Sequence, residues 1–424
     1  MSSTDRTHTD PESVSRSVSG EDAAIARDFS LKDLPDSFYD DPYPTYRALQ
    51  STDPIHRMPD GSLFLTRHRD LEAIYKDTTR FSSDKKVEFA PKYGTESLLF
   101  QHHTTSLVFN DPPLHTRVRR LIAGALNPRA IAEMEPGLVA LVDRLLDQMQ
   151  VRGSADVIED FASAIPVEVI GNLLAIPHED RAPLRGWSLA ILGALEPFLS
   201  EDVLERGERA VTEFLDYLRR LVADRRVRPG DADRDVLTRL IQGEASGERL
   251  SEIELLQNCI FILNAGHETT TNLIGNGLEL LLRFPDERQR LINDPALIKS
   301  AVEEFLRFES SNQLGNRRVT QDTEIDGVAL PQGALITLCI GAANRDPEVF
   351  TQPERLDIGR SPNRHLAFAS GAHACVGLTL ARLEGRIAIS RFLARFPNFS
   401  ANGPAHRAPR VRFRGFTSLP VTLA

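Results

Sequence analysis

From Ser251 to Phe284 the chain runs SEIELLQNCIFILNAGHETTTNLIGNGLELLLRF with no proline. Apolar residues recur through it at helical spacing. Ser251 followed by Glu254 forms a capping box at one end, and Pro285 stops the run at the other. About 33 helical residues span about 50 Å, as long as a whole domain is wide. Such a helix crosses the body of the protein, and the rest of the chain must pack around it.

The flanking segments agree. From His115 to about Phe284 the period is mostly helical, as in HTRVRRLIAGAL, AEMEPGLVALVDRLLDQM and ERAVTEFLDYLRRLVADRR. Asp41–Gln50 and residues 67 to about 82 also read as helices, and Ile55–Thr66 reads as a hairpin turning at Asp60-Gly61. Residues 83–110 read as a long irregular loop, of the kind that usually carries function. LIKSAVEEFLRF predicts a further helix and RRVTQDTEIDGVALPQGALITLCI short strands. The last helix is expected over about 376–395, and a strand pair in RVRFRGFTSLPVTL. The fold class is mainly α with minor β. Residues 1–27 are polar and expected to be a disordered tail, with 28–424 forming one domain of a helix-rich and a smaller β-rich lobe. A net charge of −10 speaks against a nucleic-acid partner. No run approaches the roughly 20 apolar residues of a membrane span, so no membrane anchor is expected. Three scattered cysteines point to a reducing cytoplasm rather than a disulfide framework.

One of those cysteines, Cys375, lies in HLAFASGAHACVGLTLAR, among small residues that let a large flat group approach the backbone. Just ahead of a helix N-terminus, it is placed to favour the thiolate. Taken alone, it reads more readily as a buried apolar side chain. No second Cys or His pair stands at zinc-ligand spacing. Within the long helix, Ala265-Gly266-His267-Glu268-Thr269-Thr270 is poor helix sequence. Thr269 can bond the Ala265 carbonyl and open the helix there. Glu304 and Arg307 stand one turn apart and can pair, buried or at the surface.

The pattern Phe368-x-x-Gly371-x-His373-x-Cys375-x-Gly377 resembles the cysteine loop of the cytochrome P450 family, whose haem iron takes an axial thiolate. DPP-H-R, AGHET, ExxR, NRDP and PER precede it in the family's order, so the resemblance covers roughly residues 30–424. It implies haem b (iron protoporphyrin IX) lying between the long helix and the Cys375 loop with its last helix. Cys375 is then the iron ligand, and Phe368, Gly377 and Ala265 line the cofactor. His115, Arg119, His373 and Arg317 (or its neighbour Arg318) meet the propionates. Glu304, Arg307 and Arg355 make a buried structural triad. Glu268 and Thr269 relay the protons that cleave the O–O bond of O2. Asn264, Gln313, Leu314, Phe416 and Thr417 are expected at the substrate, beside the 83–110 and 185–205 regions. One departure stands out: Ala369 replaces the glycine usual after the phenylalanine. If that position takes positive φ, the cost is about 1 kcal/mol.

The implied reaction is monooxygenation of a lipophilic small molecule, a terpenoid, steroid, polyketide or aromatic. Electrons come ultimately from NAD(P)H through a reductase and an iron–sulfur ferredoxin, which Arg117, Arg120 and Arg364 could receive. Two rivals are a peroxide-driven haem-thiolate enzyme and a non-catalytic haem sensor or carrier. The intact Glu268-Thr269 pair speaks against both.

Overall fold

The computed structural model describes residues 19–231, 236–243 and 250–424. The long helix is present as Glu252–Arg283, with Ser251 Oγ accepting from the Glu254 amide and the Glu254 side chain returning to the Ser251 amide. It is buried along nearly its whole length, from Leu255 to Leu281. Around it pack the helices Leu98–Thr105, Ala164–Leu173, Leu184–Gly193, Glu201–Val227 and Leu378–Arg395. A helix apolar on all sides is stable only when neighbours cover every face, which is why this element organises the molecule.

A five-stranded sheet flanks the helical body. We label its strands β1 (Ile55–Arg57), β2 (Leu63–Leu65), β3 (Phe81–Ser82), β4 (Leu314–Val319) and β5 (Leu335–Cys339), and their spatial order is β1-β2-β5-β4-β3. The β1–β2 hairpin forms as expected, with Ile55 opposite Leu65 and Gly61 at φ +84° in the turn. β2 joins β5 in parallel, and β4 lies antiparallel to β5 with Leu314 opposite Cys339. Three smaller sheets complete the β content of the described residues.

Four expectations need correction. Residues 1–18 lie outside the described residues, but 20–28, expected in the disordered tail, form a helix capped by Ser19. Ala26 is buried and the helix packs on Tyr43–Thr52, so apolar contact orders a segment that polarity alone would leave loose. The helix expected to reach residue 82 stops at Lys76, and Phe81–Ser82 pair as β3. The 83–110 loop contains the helices Lys86–Tyr93 and Leu98–Thr105. Pro91 inside the first and a Gly94 cap at φ +79° hide them from periodicity. The two C-terminal strands, Phe416–Ser418 and Pro420–Thr422, do not pair with each other. The first pairs with His406–Arg407, the second with Ser154–Asp156 and Ser400–Ala401.

Candidate active site

The Cys375 loop is built by backbone geometry. Ala369 has φ +55° and Gly371 φ +67°. A Cβ on Gly371 would lie 2.4 Å from the Tyr75 carbonyl oxygen, so this position has no room for a side chain. The Cys375 amide donates to Phe368 O at 2.9 Å and the Ala374 amide to Gly371 O at 3.1 Å, folding the loop back on itself. The helix Leu378–Arg395 begins three residues later. Burial pushes the Cys375 thiol up, while the Gly377 amide, Arg119 and Arg382 pull toward the thiolate. Position ahead of the helix therefore does not by itself outweigh desolvation.

Cys375 lines a cavity together with the middle of the long helix, which contributes Ala265, Gly266, Thr269 and Thr270. Thr269 Oγ1 donates to Ala265 O at 2.8 Å, the bond expected from the sequence. Adjacent helical positions point about 100° apart, and Glu268 indeed faces away. It meets Arg410, whose Nη1 donates to Glu268 Oε1. Glu268 Oε2 is buried with no partner, and burial raises this carboxyl's pKa against the pull of Arg410. His267 is buried too, and desolvation drives it down to about 3, so it is neutral.

His115, Arg119, Arg317 and His373 all line the Cys375 end of the cavity. The rings of His115 and His373 lie 4.0 Å apart. Neither nitrogen of His115 nor Nε2 of His373 has a hydrogen-bond partner. Arg317 is 7% exposed. Its one hydrogen bond goes to the Asn316 carbonyl at 2.8 Å, and its guanidinium lies 5.1 Å from the Tyr75 ring centre. Burial, and then Arg317, His115 and Arg119, push His373 to about 3. This is a donor-rich, cationic rim with no carboxylate bonded to it among the described residues, and it fits a group carrying two carboxylates. Of the two neighbouring arginines, Arg317 lines the cavity and Arg318 does not.

Glu304 and Arg307 are fully buried and joined by two bonds of 2.8 Å. The third side chain is Arg360, whose Nε lies 3.1 Å from both Glu304 oxygens. Arg355, expected in that role, is exposed and contributes only its main-chain carbonyl, to Arg307 at 3.2 Å and Arg360 at 3.0 Å. Two arginines five residues apart in an irregular stretch cannot be told apart by spacing.

Among the expected substrate residues, Asn264 and Leu314 line the cavity. Gln313 is instead spent on the backbone, donating to Ser310 O at 2.7 Å. Phe416 is buried under Arg407, and Thr417 is exposed and bonds His406 O at 3.1 Å. The C-terminal contribution comes earlier, from Arg412 and Phe413. The segment is pinned there by Gln313 N to Arg412 O at 2.8 Å and Arg414 N to Ser311 O at 2.9 Å, pairings that sequence spacing does not show. The 83–110 region supplies His102, His103 and Phe109, and the 185–205 region Leu192 and Leu195. Arg117, read as a surface cation for a redox partner, pairs with Glu254 at the head of the long helix.

No helix among the described residues is long and apolar enough to cross a membrane. The cytochrome P450 family model matches residues 188–405. The biotin biosynthesis cytochrome P450 of Bacillus subtilis (strain 168) is 36% identical over 389 residues, 91% of this chain and 97% of that protein. The vitamin D(3) 25-hydroxylase of Pseudonocardia autotrophica is 36% identical over 395 residues, 91% of this chain and 95% of that protein. The crystal structure of P450BioI with hexadec-9Z-enoic acid ligated acyl carrier protein superposes with a TM-score of 0.87 at 35% identity, covering 92% of this chain and 100% of that one. With the cysteine loop, Thr269 and the cationic rim on one cavity, these likenesses place the chain in the cytochrome P450 family, as a monooxygenase.

Proposed function

We propose that Cys375 would hold the iron of haem b in this cavity, and that the enzyme inserts one atom of O2 into a lipophilic small molecule. The observation that carries this reading is that Cys375 and Thr269 line one cavity together with His115 and His373, which carry buried ring nitrogens without partners. Bound haem would supply the reductive activation of O2, in which two electrons and two protons leave one oxygen atom in the product and one in water. The protein does the rest. The Gly377 amide, Arg119 and Arg382 favour the thiolate, and bonding to a metal cation completes what burial opposes. His115, Arg119, Arg317 and His373 would hold the two propionates. Thr269 Oγ1, bonded to Ala265 O, passes protons toward O2. Glu268 recharges it by alternating between its Arg410 bond and its unpartnered oxygen. Apolar walls at Leu192, Leu195, Phe109 and Phe413 exclude water and hold the substrate. Electrons come from NAD(P)H through a reductase and an iron–sulfur ferredoxin. Relatives named for vitamin D(3) and for polyketide biosynthesis, and one solved with an acyl chain on a carrier protein, support a lipophilic substrate.

Spectroscopy of the purified holoprotein tests this. Cys375→Ala is expected to lose the thiolate-type Soret band of the ferrous carbon monoxide complex, and an unchanged band rejects Cys375 as ligand. Thr269→Ala is expected to keep the substrate-induced spin shift while product formation falls by roughly 10²-fold or more and electrons appear as hydrogen peroxide. Retained coupling rejects the relay.

A further inference from the structure

A cation on the cavity wall has no ion-paired carboxylate among the described residues. Arg412 sits at the tip of the C-terminal segment, beside Phe413 and among apolar side chains that include Leu192, Leu195 and Phe109. It forms no ion pair among the described residues. Its Nη2 donates to Asn316 Oδ1, and its Nε is buried with no acceptor. No carboxylate bonds the guanidinium among the described residues, although Glu196 lies close by with its Oε1 buried and unpartnered. Glu88 pairs with Lys85 at 2.6 Å. Glu196 Oε2 accepts the main-chain amides of Val411 and Arg412 at 3.0 and 3.2 Å. Glu384, the acidic residue on the cavity wall, is pushed by burial up to about 8 and is neutral at pH 7. The field of Arg412 reaches its neighbours: after burial, it opposes protonation of Lys92, and it adds to what keeps His103 neutral.

The segment that carries Arg412 is held from three sides. Glu196 fixes two of its amides, Gln313 N bonds Arg412 O at 2.8 Å, and Asn312 bridges to Phe413. The guanidinium is therefore presented by a fixed backbone, as a group that binds a ligand must be. Arg412 is half-buried, and its one buried nitrogen without an acceptor, Nε, is costly to the free protein and becomes favourable when a ligand brings one. Its planar fork matches a carboxylate with two parallel bonds.

We infer that Arg412 anchors a carboxylate at one end of the substrate, so that this enzyme takes lipophilic carboxylic acids in preference to their neutral derivatives. The inference rests on the proposed haem-bearing cavity and goes further by naming the head group. Asn316 holds the guanidinium in place, and the apolar walls take the body of the acid.

The test is a spectral titration of the haem-loaded enzyme with straight-chain fatty acids, octanoic to hexadecanoic, and with lithocholic acid, each against its methyl ester. At least one acid is expected to shift the haem spin state with a dissociation constant about tenfold or more below that of its ester. Arg412→Met is expected to abolish that preference, weakening acid binding about tenfold or more beyond any change in ester binding, while Arg412→Lys retains part of it. The proposal is overturned if no acid is preferred to its ester, or if the preference survives in Arg412→Met. It is also overturned if Arg412→Met loses haem on gel filtration, which would assign the guanidinium to a propionate. A normal thiolate-type carbon monoxide spectrum without acid preference would sink this inference alone. An abnormal spectrum in the wild type would sink the reading beneath it.

Discussion

Ala369 and Gly371 sit two residues apart in the left-handed region, and the chain treats them differently. At Gly371 the obstacle is a main-chain oxygen 2.4 Å from any Cβ, which cannot swing aside. At Ala369 the Cβ is already accommodated, against the cluster of Leu71, Leu338 and Leu366. Its conformation still costs about 1 kcal/mol relative to glycine, and a glycine there would lose about 0.4–1 kcal/mol to the freer unfolded chain. Ala369→Gly is thus expected to change stability by less than about 0.5 kcal/mol, where an ordinary Ala→Gly change in an element costs about 0.5–1 kcal/mol. Gly371→Ala is expected to lose about 1–3 kcal/mol from conformation alone, with further loss from the clash and weaker haem retention. Urea unfolding of the holoproteins measures both; a large loss in Ala369→Gly would show that the alanine side chain is needed for packing.

Among the elements, the helix Ile298–Phe308 is tied to the irregular stretch after it by one carboxylate. Glu304 receives two bonds from Arg307, two from Arg360, one from Asn363 at 3.0 Å and one from the Asp357 amide at 3.0 Å. Arg307 answers with the carbonyls of Asn344, Pro353 and Arg355. A loop that cannot make regular backbone bonds is satisfied here by two side chains. Glu304→Ala strands two buried guanidinium groups and is expected to cost about 3–5 kcal/mol. Arg360→Ala should cost less, because Arg307 still neutralises Glu304, and Arg355→Ala should stay within about 0.5 kcal/mol. Thermal unfolding of the three variants ranks them. An Arg355 variant as damaged as the Arg360 variant would restore Arg355 to the triad.

The whole molecule is closed by charges that lie far apart in the chain. Arg414 donates to Glu309 Oε1 and to the carbonyls of Tyr39 and Asp40, at 2.8 and 2.7 Å, so the C-terminal segment locks the N-terminal one against the body. Arg414 and Arg407 hold the buried Glu309 down to about 2 against the cost of burial. Glu384 is the opposite case: burial alone raises it to about 8 from 4.5. Between those two values the folded chain keeps a proton that the unfolded chain has released. Its contribution is complete below about pH 4.5 and is lost as pH climbs toward 8, at up to about 1.4 kcal/mol per pH unit. Glu384→Gln, which carries no such proton, should therefore gain stability on the wild type as pH rises from 5 to 8. Urea midpoints of both proteins across that range measure the slope; parallel curves would show that Glu384 is ionised in the fold.

Three features of this protein were written locally and could be read from the chain. The long helix announces itself by its capping box, unbroken apolar period and terminal proline. The cysteine loop does so by small residues around one sulfur, and the Glu304–Arg307 pair by one helical turn. In each, the interacting groups are near in sequence, so spacing alone encodes the contact. The tertiary structure alone decided that Arg360 completes the pair and that Arg410 meets Glu268 across 142 residues. It also decided that Arg412 and Phe413, rather than Phe416 and Thr417, wall the cavity, and that Lys86–Thr105 winds into two helices. Those outcomes depend on which distant segments come to lie side by side once the core closes, and no local period carries that information.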